Sequence, residues 1–323
     1  MAGISNRSRH RLPWMILLAV MLIGMAAGIY GAVRKIDYAW RWNRIPQYFV
    51  YRGESAIKTP YDGRVAAITK KGGKLAVELE SEDNRRVTLL VDKEQINVSQ
   101  GEELFQDDTV GFVGEWRLGP LMMGLWTTMW ISAVASGLAL IIGLTTGLCR
   151  ISINPALRGL AALYVEFIRG TPLLVQIFIA YFFIGTVFNL DRNVAGVGAL
   201  AIFAGAYVAE IVRAGIQSIP KGQMEAARSL GMNVLQSMIY IILPQALKRI
   251  LPPLAGQFIS LIKDSSLVSV IAITDLTKSG REIITSTFAT FEVWLTVAAM
   301  YLIVTSLLSQ VVFYMERRMA VSD

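Results

Sequence analysis

Residues able to do chemistry are scarce, and their identities already exclude several chemistries. The chain holds one histidine, His10, and one cysteine, Cys149. No zinc site, histidine-based triad or thiol pair can be assembled from these. No GxxxxGK[ST] phosphate loop occurs in the 323 residues, so ATP hydrolysis of that kind is not expected of this chain. What remains is a set of charges inside otherwise apolar stretches. Glu166 and Arg169 stand i to i+3, Glu210 and Arg213 repeat that spacing, and Lys263 and Asp264 are adjacent. An ionised group in hydrocarbon is costly, so each needs a partner, a wet cavity or a job. The first two pairs can neutralise within their own helices. Lys263 and Asp264 point in different directions and must find partners on other helices. Two readings stand: clips that fix helix packing, or a polar lining for a zwitterion whose carboxylate and ammonium need opposite charges or helix ends. Thr171–Pro172 interrupts the third apolar stretch, where Pro172 removes a backbone donor and frees a carbonyl one turn earlier. Such breaks are tolerated where they line a cavity. The candidates for a substrate path are Glu166, Arg169, Thr171, Gln176, Glu210, Lys263, Asp264, Ser265 and Ser266, with no catalytic residue and no metal ligand set.

The elements that must carry these side chains follow from composition. Hydrophobic residues make up 54% of the chain and charged ones 17%, more apolar material than a water-facing surface tolerates, so several membrane spans are expected. Stretches of about 20 apolar residues, enough to cross a bilayer, occur near 14–33, 121–148, 160–188, 194–216, 250–273 and 291–314. Arg7, Arg9, His10 and Arg11 ahead of the first resemble a signal-peptide n-region, yet the apolar run exceeds the roughly 7–15 residues of a signal h-region, and an uncleaved anchor is expected. The formal net charge of +7 is read as basic residues gathered on one side of a membrane rather than as a nucleic-acid footprint. With the N-terminus inside, the inner loops hold Arg150, Arg158, Lys221, Arg228, Lys248, Arg249, Arg317 and Arg318. The outer loops hold Arg192, Lys278 and Arg281, accompanied by Asp191, Asp275 and Glu282. This bias predicts both termini in the cytoplasm.

Residues 34–116 differ from their surroundings. The alternating runs VAAIT, KLAVELE and RRVTLLV are separated by KKGGK and SEDN, which predicts a small antiparallel sheet on the far side of the membrane. The phrases TPYDGRV and QGEELFQDDTVG resemble parts of the hammerhead barrel of biotinyl and lipoyl domains, and no carrier lysine is inferred from them. A spacer and a docking surface for a solute-binding protein are both open as roles.

The stretch SIPKGQMEAARSLGMNVLQSMIYIILPQALKRILPP, expected on the inner face, carries the mechanism. Pro220 can open a short helix, Gly231 suits a left-handed cap, and Asn233 can cap a second helix ending near Pro244. Ala226 and Ala227 offer a flat small-residue surface for another protein's backbone, braced by Glu225 and Arg228 at i to i+3.

Here the sequence resembles a known family. Glu225, Ala226, Ala227, Gly231, Ile241, Leu243 and Pro244 match, without a gap, the permease signature of ATP-binding-cassette importers. EFIRGTPLLVQ at 166–176, AGAYVAEIVRAGIQSIPKGQ at 204–223 and LIKDSSLVSVI at 261–271 narrow the resemblance to the permeases of histidine, glutamine and other polar amino acids. It covers about residues 119–318. Many members of that branch have a five-span core, so the first span and the β-rich segment are additions. The resemblance implies that Glu225, Ala226, Ala227, Arg228, Gly231 and Pro244 couple to a separate cassette ATPase, which binds the ATP and Mg. It also implies a second permease copy or homologous permease, a periplasmic solute-binding protein, an amino acid substrate and no cofactor in this chain.

The expected fold is therefore an all-α polytopic membrane protein of about six transmembrane helices with a small β-rich extracytoplasmic domain, in a bacterial inner membrane. Its expected parts are a tail and anchor at 1–33, the β-rich domain at 34–116, the permease domain at 117–318 with its coupling helix at about 220–244, and a tail at 319–323. A secondary amino acid transporter is the alternative; it would need inverted repeats, and none is evident.

Overall fold

The computed structural model describes residues 11–35, 38–81, 83, 85–92 and 96–320. Arg7, Arg9 and His10 of the basic cluster, and residues 321–323 of the expected tail, lie outside the described residues. The chain divides into two units, Met1–Asn43 and Arg44–Asp323. In the first, α1 (Arg11–Lys35) is a helix of 25 residues, about 37 Å long at 1.5 Å per residue. Its apolar side chains from Trp14 to Ile23 are exposed around the whole circumference, the pattern of a helix surrounded by lipid. Arg34 lies over the ring of Tyr30, and beyond the helix Tyr38 meets Trp40 edge-on at 5.3 Å while Trp40 stacks on Trp42 at 5.8 Å. Aromatic rings at the end of an apolar helix suit the headgroup level of a bilayer.

The second unit opens with the β-rich module. The three alternating runs become β2 (Gly63–Lys71), β3 (Lys74–Glu80) and β4 (Arg86–Asp92). The two-residue turn at Gly72 and Gly73 has φ of +59° and +82°, the left-handed turn that matches strand twist and that glycine adopts freely. A short β5 (Glu103–Leu104) completes a sheet in the order β4-β3-β2-β5. Val65, Val77, Leu79, Val91 and Val110 fill its core. The phrases TPYDG and QGEELFQDD come together: Thr59 N donates to Asp108 O at 2.9 Å, Asp107 N to Thr59 O at 3.0 Å and Gln106 N to Asp62 Oδ1 at 2.5 Å. Two strands outside the predicted runs, β1 (Val50–Lys58) and β6 (Thr109–Leu118), pair into an antiparallel ribbon. β6 leads straight into the helical part through Gly119, whose N–H donates to Phe49 O at 2.7 Å. At the ribbon's foot Tyr48 is buried with Leu121, Leu276, Ile283 and Val293.

The helical part comprises α2 (Pro120–Arg150), α3 (Pro155–Arg169), α4 (Leu173–Phe188), α5 (Arg192–Gln217), α6 (Lys221–Ser229), α7 (Val234–Ile271), α8 (Leu276–Thr287) and α9 (Thr290–Ala320). Among the described residues α2, α5, α7 and α9 are long and apolar enough to cross a membrane, and α3 with α4 counts as a fifth if the pair is one span bent by 104°. Side chains open several of these helices: Asn154 Oδ1 accepts from Ala156 N at 2.9 Å, Asp191 Oδ1 from Asn193 N at 2.7 Å, and Asp275 from Thr277 N and Lys278 N at 3.0 and 2.9 Å.

Lipid is as apolar as leucine, so helix association here depends on close packing rather than on leaving water. α2 and α5 meet through Gly143 and Gly147, one turn apart. A side chain at Gly143 would collide with Val208 and approach Gly205 O at 2.9 Å, and one at Gly147 would meet Ala209 O and Val212 at 2.9 Å. Further along this interface Ile131, Ala135, Leu200 and Ala204 join Leu173 and Ile177 of α4 and Leu261 and Val268 of α7 in one buried cluster.

Candidate functional site

The motif segment folds as a helix-turn-helix. Pro220 precedes α6, and Gly231 follows it at φ +84°. Met232 N donates to Ala227 O at 3.2 Å and Gly231 N to Arg228 O at 3.0 Å. This is the paired arrangement that closes a helix on a left-handed residue, a role that favours glycine. Asn233 then starts α7 with a reciprocal cap: its Oδ1 accepts from Gln236 N at 2.8 Å, and Gln236 Oε1 accepts from Asn233 N at 3.0 Å.

Two expectations for the hairpin need correction. The second helix does not stop near Pro244 but runs on to Ile271. A π-turn at Met238–Ile242 ends two residues before Pro244, and Leu243 N reaches back to Met238 O. The widened turn absorbs the missing donor that would otherwise break the helix. The small-residue surface is also narrower than expected. Ala226 is exposed, but Ala227 is only 3% exposed and faces the protein's own interior. Met224 of the same helix packs against the buried cluster that includes Val212, Ile216 and Ile242. Glu225, Ala226, Arg228 and Gly231 therefore form the outward face.

The hairpin is tied to the spans at its root. Gln245 Nε2 donates to Gln223 Oε1 at 3.3 Å and to Ile241 O at 2.9 Å, and Arg249 Nη1 donates to Ser218 O at 2.6 Å. Neither Ser218 nor Arg249 stood out in the sequence as more than a loop residue and an inner-side charge. Their partnership depends on α5 and α7 lying side by side, which no local spacing announces.

The intramembrane charges divide. Glu210 and Arg213 pair as their spacing predicts, with Arg213 Nε 3.1 Å from both carboxylate oxygens and Nη2 bonded to Oε1. Arg150 at the end of α2 reaches Glu210 Oε2 at 3.5 Å from the other side, and Arg213 Nη1 donates to Gln217 Oε1 at 2.5 Å. Glu210 thus sits between two guanidinium groups, and its side chain is 23% exposed. Arg169 does not turn to Glu166. Its guanidinium lies over the ring of Tyr207 on α5, 5.1 Å from the centroid, a cation–π contact. Glu166 points outward.

At that bend the side chain of Gln176 replaces the missing helix bonds. Its Nε2 donates to Ile168 O at 2.7 Å, Thr171 Oγ1 at 2.8 Å and Thr171 O at 3.1 Å, while its buried Oε1 has no hydrogen-bond partner. Lys263 and Asp264 stand where the α-helical part of α7 gives way to a 3-10 turn over Ser265–Ile271. Among the described residues no ion pair joins either to another helix. Lys263 is exposed in the last α-helical turn, where the helix dipole favours a cation. Ser265 Oγ is buried and donates to Ile262 O at 2.8 Å, and Ser266 is half-buried. Nearby, Arg281 Nη2 donates to Ser269 Oγ at 3.0 Å, a contact from α8 that the sequence reading missed.

A family model described as binding-protein-dependent transport system inner membrane component matches residues 114–321. The probable glutamine ABC transporter permease protein GlnM of Bacillus subtilis strain 168 is 43% identical over 199 residues, covering 61% of this chain and 92% of that relative. The glutamine transport system permease protein GlnP of Escherichia coli strain K12 is 41% identical over 210 residues, covering 64% and 96%. A solved structure of an amino acid ABC transporter with histidines is 42% identical, with a TM-score of 0.59 over 62% of this chain and 94% of that chain. The inward-facing MetNI methionine ABC transporter, at 22% identity and a TM-score of 0.56, shares the fold. The family match begins within β6 and runs through α9, leaving α1 and most of the β-rich module outside it. The likeness read from the hairpin motif is met, and the chain belongs to the family of binding-protein-dependent transport system inner membrane components.

Proposed function

We propose that the chain is the permease subunit of an ABC importer for polar amino acids, with glutamine the first substrate to test because the GlnM and GlnP relatives carry it in their names. The observation that carries this reading is the α6 hairpin: a rigidly capped helix with Ala226 exposed at its crest and its root tied to α5 and α7. A cassette ATPase that binds ATP and Mg docks on Glu225, Ala226, Arg228 and Gly231, and Ala227, Gly231 and Pro244 hold the shape it docks on. The distribution of Lys and Arg supports an orientation in which both termini and the hairpin face the cytoplasm of a bacterium. In that orientation α1 is a sixth span and the β-rich module stands outside, next to an incoming solute-binding protein. A second permease copy or a homologous permease completes the pathway.

Two guanidinium groups saturate Glu210, which supports a packing role for Glu210, Arg213 and Arg150. Thr171, Gln176, Lys263, Asp264, Ser265 and Ser266 are assigned to the substrate path, because they stand at the break between α3 and α4 and where the α-helical part of α7 gives way to a 3-10 turn, the kind of interruption that is tolerated in a span where it lines a cavity. Glu166 and Arg169 flank the bend. The test is uptake of labelled glutamine into vesicles holding the chain with a cassette ATPase and a binding protein. Uptake must require ATP and survive collapse of the proton gradient. Uptake that follows the gradient instead overturns this reading in favour of a secondary transporter.

A further inference from the structure

Between the end of α2, the first turn of α3, the end of α5 and the start of α6 lies a cavity of about 500 Å³, within the range of small-ligand sites. Arg150, Arg158 and Lys221 line it, and no carboxylate does. Arg150 is held by Glu210. Among the described residues no carboxylate lies within ion-pair distance of Arg158 or Lys221. Both sit in the first turn of a helix, where the backbone favours anions, so neither is there to stabilise its own helix. Apart from Gln217, whose Oε1 is taken by Arg213, the remaining wall is apolar and includes Ile216, Met238 and Ile242. Beside Arg158, Leu157 and Leu160 are exposed, Leu160 to 67%. The cavity therefore combines two uncompensated cations, an apolar wall and an adjoining apolar surface of the kind that faces lipid tails.

We infer that this cavity binds the phosphodiester headgroup of an anionic membrane lipid, held by Arg158 and Lys221 with its glycerol and upper acyl carbons against the isoleucines. Charge-assisted bonds from guanidinium and ammonium suit phosphate oxygens. Basic pockets between helices on the cytoplasmic side of a membrane are where such headgroups are met. The inference rests on the orientation proposed above. Because the cavity touches α3 and α6 together, a bound headgroup braces the hairpin against the bent span.

The test is native mass spectrometry of the full-length chain in detergent with phosphatidylglycerol, phosphatidylcholine or inorganic phosphate. Phosphatidylglycerol is expected to be retained in preference to phosphatidylcholine. Arg158→Gln with Lys221→Gln is expected to weaken that retention about tenfold, and Arg158→Lys with Lys221→Arg to restore most of it. Arg117→Gln in the β-rich module leaves it unchanged. Equal retention of both lipids, or no loss in the double variant, overturns the inference. Inorganic phosphate that binds with the same dependence and displaces the lipid identifies a soluble phosphate instead and also overturns it. So does a lipid-free complex in which Lys221 crosslinks to an acidic side chain of the ATPase. A membrane-impermeant thiol reagent reaching Lys221→Cys from outside would defeat the orientation itself, a result separate from lipid retention.

Discussion

Arg249 of α7 donates to the carbonyl oxygen of Ser218, just past the end of α5, at 2.6 Å and to its hydroxyl at 3.2 Å. The bond joins the two spans where the chain leaves for α6, so a push on the hairpin reaches α5 and α7 together. Arg249→Gln removes a charged donor from an exposed site, an effect of about 1 kcal/mol, or roughly fivefold in an equilibrium constant. The variant is expected to reach the membrane and bind the ATPase as the wild type does. It is expected to consume several times more ATP per amino acid moved. Paired measurements of ATP turnover and uptake in proteoliposomes check this, and an unchanged ratio removes Arg249 from the coupling path.

Adjacent alanines of the same helix should respond differently. Ala226 faces outward, so Ala226→Trp is expected to leave folding within about 0.5 kcal/mol of wild type while abolishing co-purification of the ATPase. Ala227 is buried beside Met232 and the root of α7, so Ala227→Leu overpacks the hairpin at a cost of about 1–3 kcal/mol. It is expected to lower thermal stability first and ATPase binding only in consequence. Size-exclusion profiles and unfolding curves of the two variants, taken side by side, distinguish these effects. Equal loss of stability in both would mean that Ala226 is not a docking surface.

Gln176 is the only described side chain bonded to Ile168 O, and with Thr171 it closes the gap left by the 104° bend. Gln176→Leu keeps the bulk but leaves two carbonyls short of a donor, at about 1–3 kcal/mol for each one that stays buried. The expected result is a lower unfolding temperature together with reduced uptake at saturating substrate. If Gln176 only contacts the amino acid, stability will be unchanged and the apparent KM alone will rise.

Reading the sequence found what is local. The β2–β4 runs were visible because alternation along a strand is written in consecutive residues. The hairpin was visible because caps at Gly231 and Asn233 depend on their immediate neighbours. Glu210 and Arg213 were visible because they share one helix face. Arg150 was counted as an inner-side charge and not as the third member of that cluster, since its approach to Glu210 depends on how α2 lies against α5. Strands β1 and β6 were missed because they pair residues far apart in the chain, from Val50 with Leu118 to Lys58 with Thr109. The inward face of Ala227 was hidden for the same reason: only the packing of Met224 and Ile242 shows which side of α6 is covered.

The contact between α2 and α5 gives a last prediction, because Gly147 lies one turn before Arg150 and the spacing of the two helices there sets the Arg150–Glu210 distance. A methyl group at Gly147 would sit 2.9 Å from Ala209 O and from Val212, and one at Gly143 would collide with Val208. Gly143→Ala and Gly147→Ala are each expected to cost about 1–3 kcal/mol and to part Arg150 from Glu210. Gly137→Ala on the same helix meets nothing within 4 Å and is expected to be neutral or slightly stabilising, since alanine is the better helix former. Combining Gly143→Ala with Val208→Gly removes both the Cγ1 and the Cβ that obstruct it and is expected to recover part of the loss. Unfolding curves of the purified variants check the series. If all three glycine variants unfold together, the close approach of α2 and α5 is not what holds this part of the bundle, and the Arg150–Glu210 pair must be maintained by other contacts.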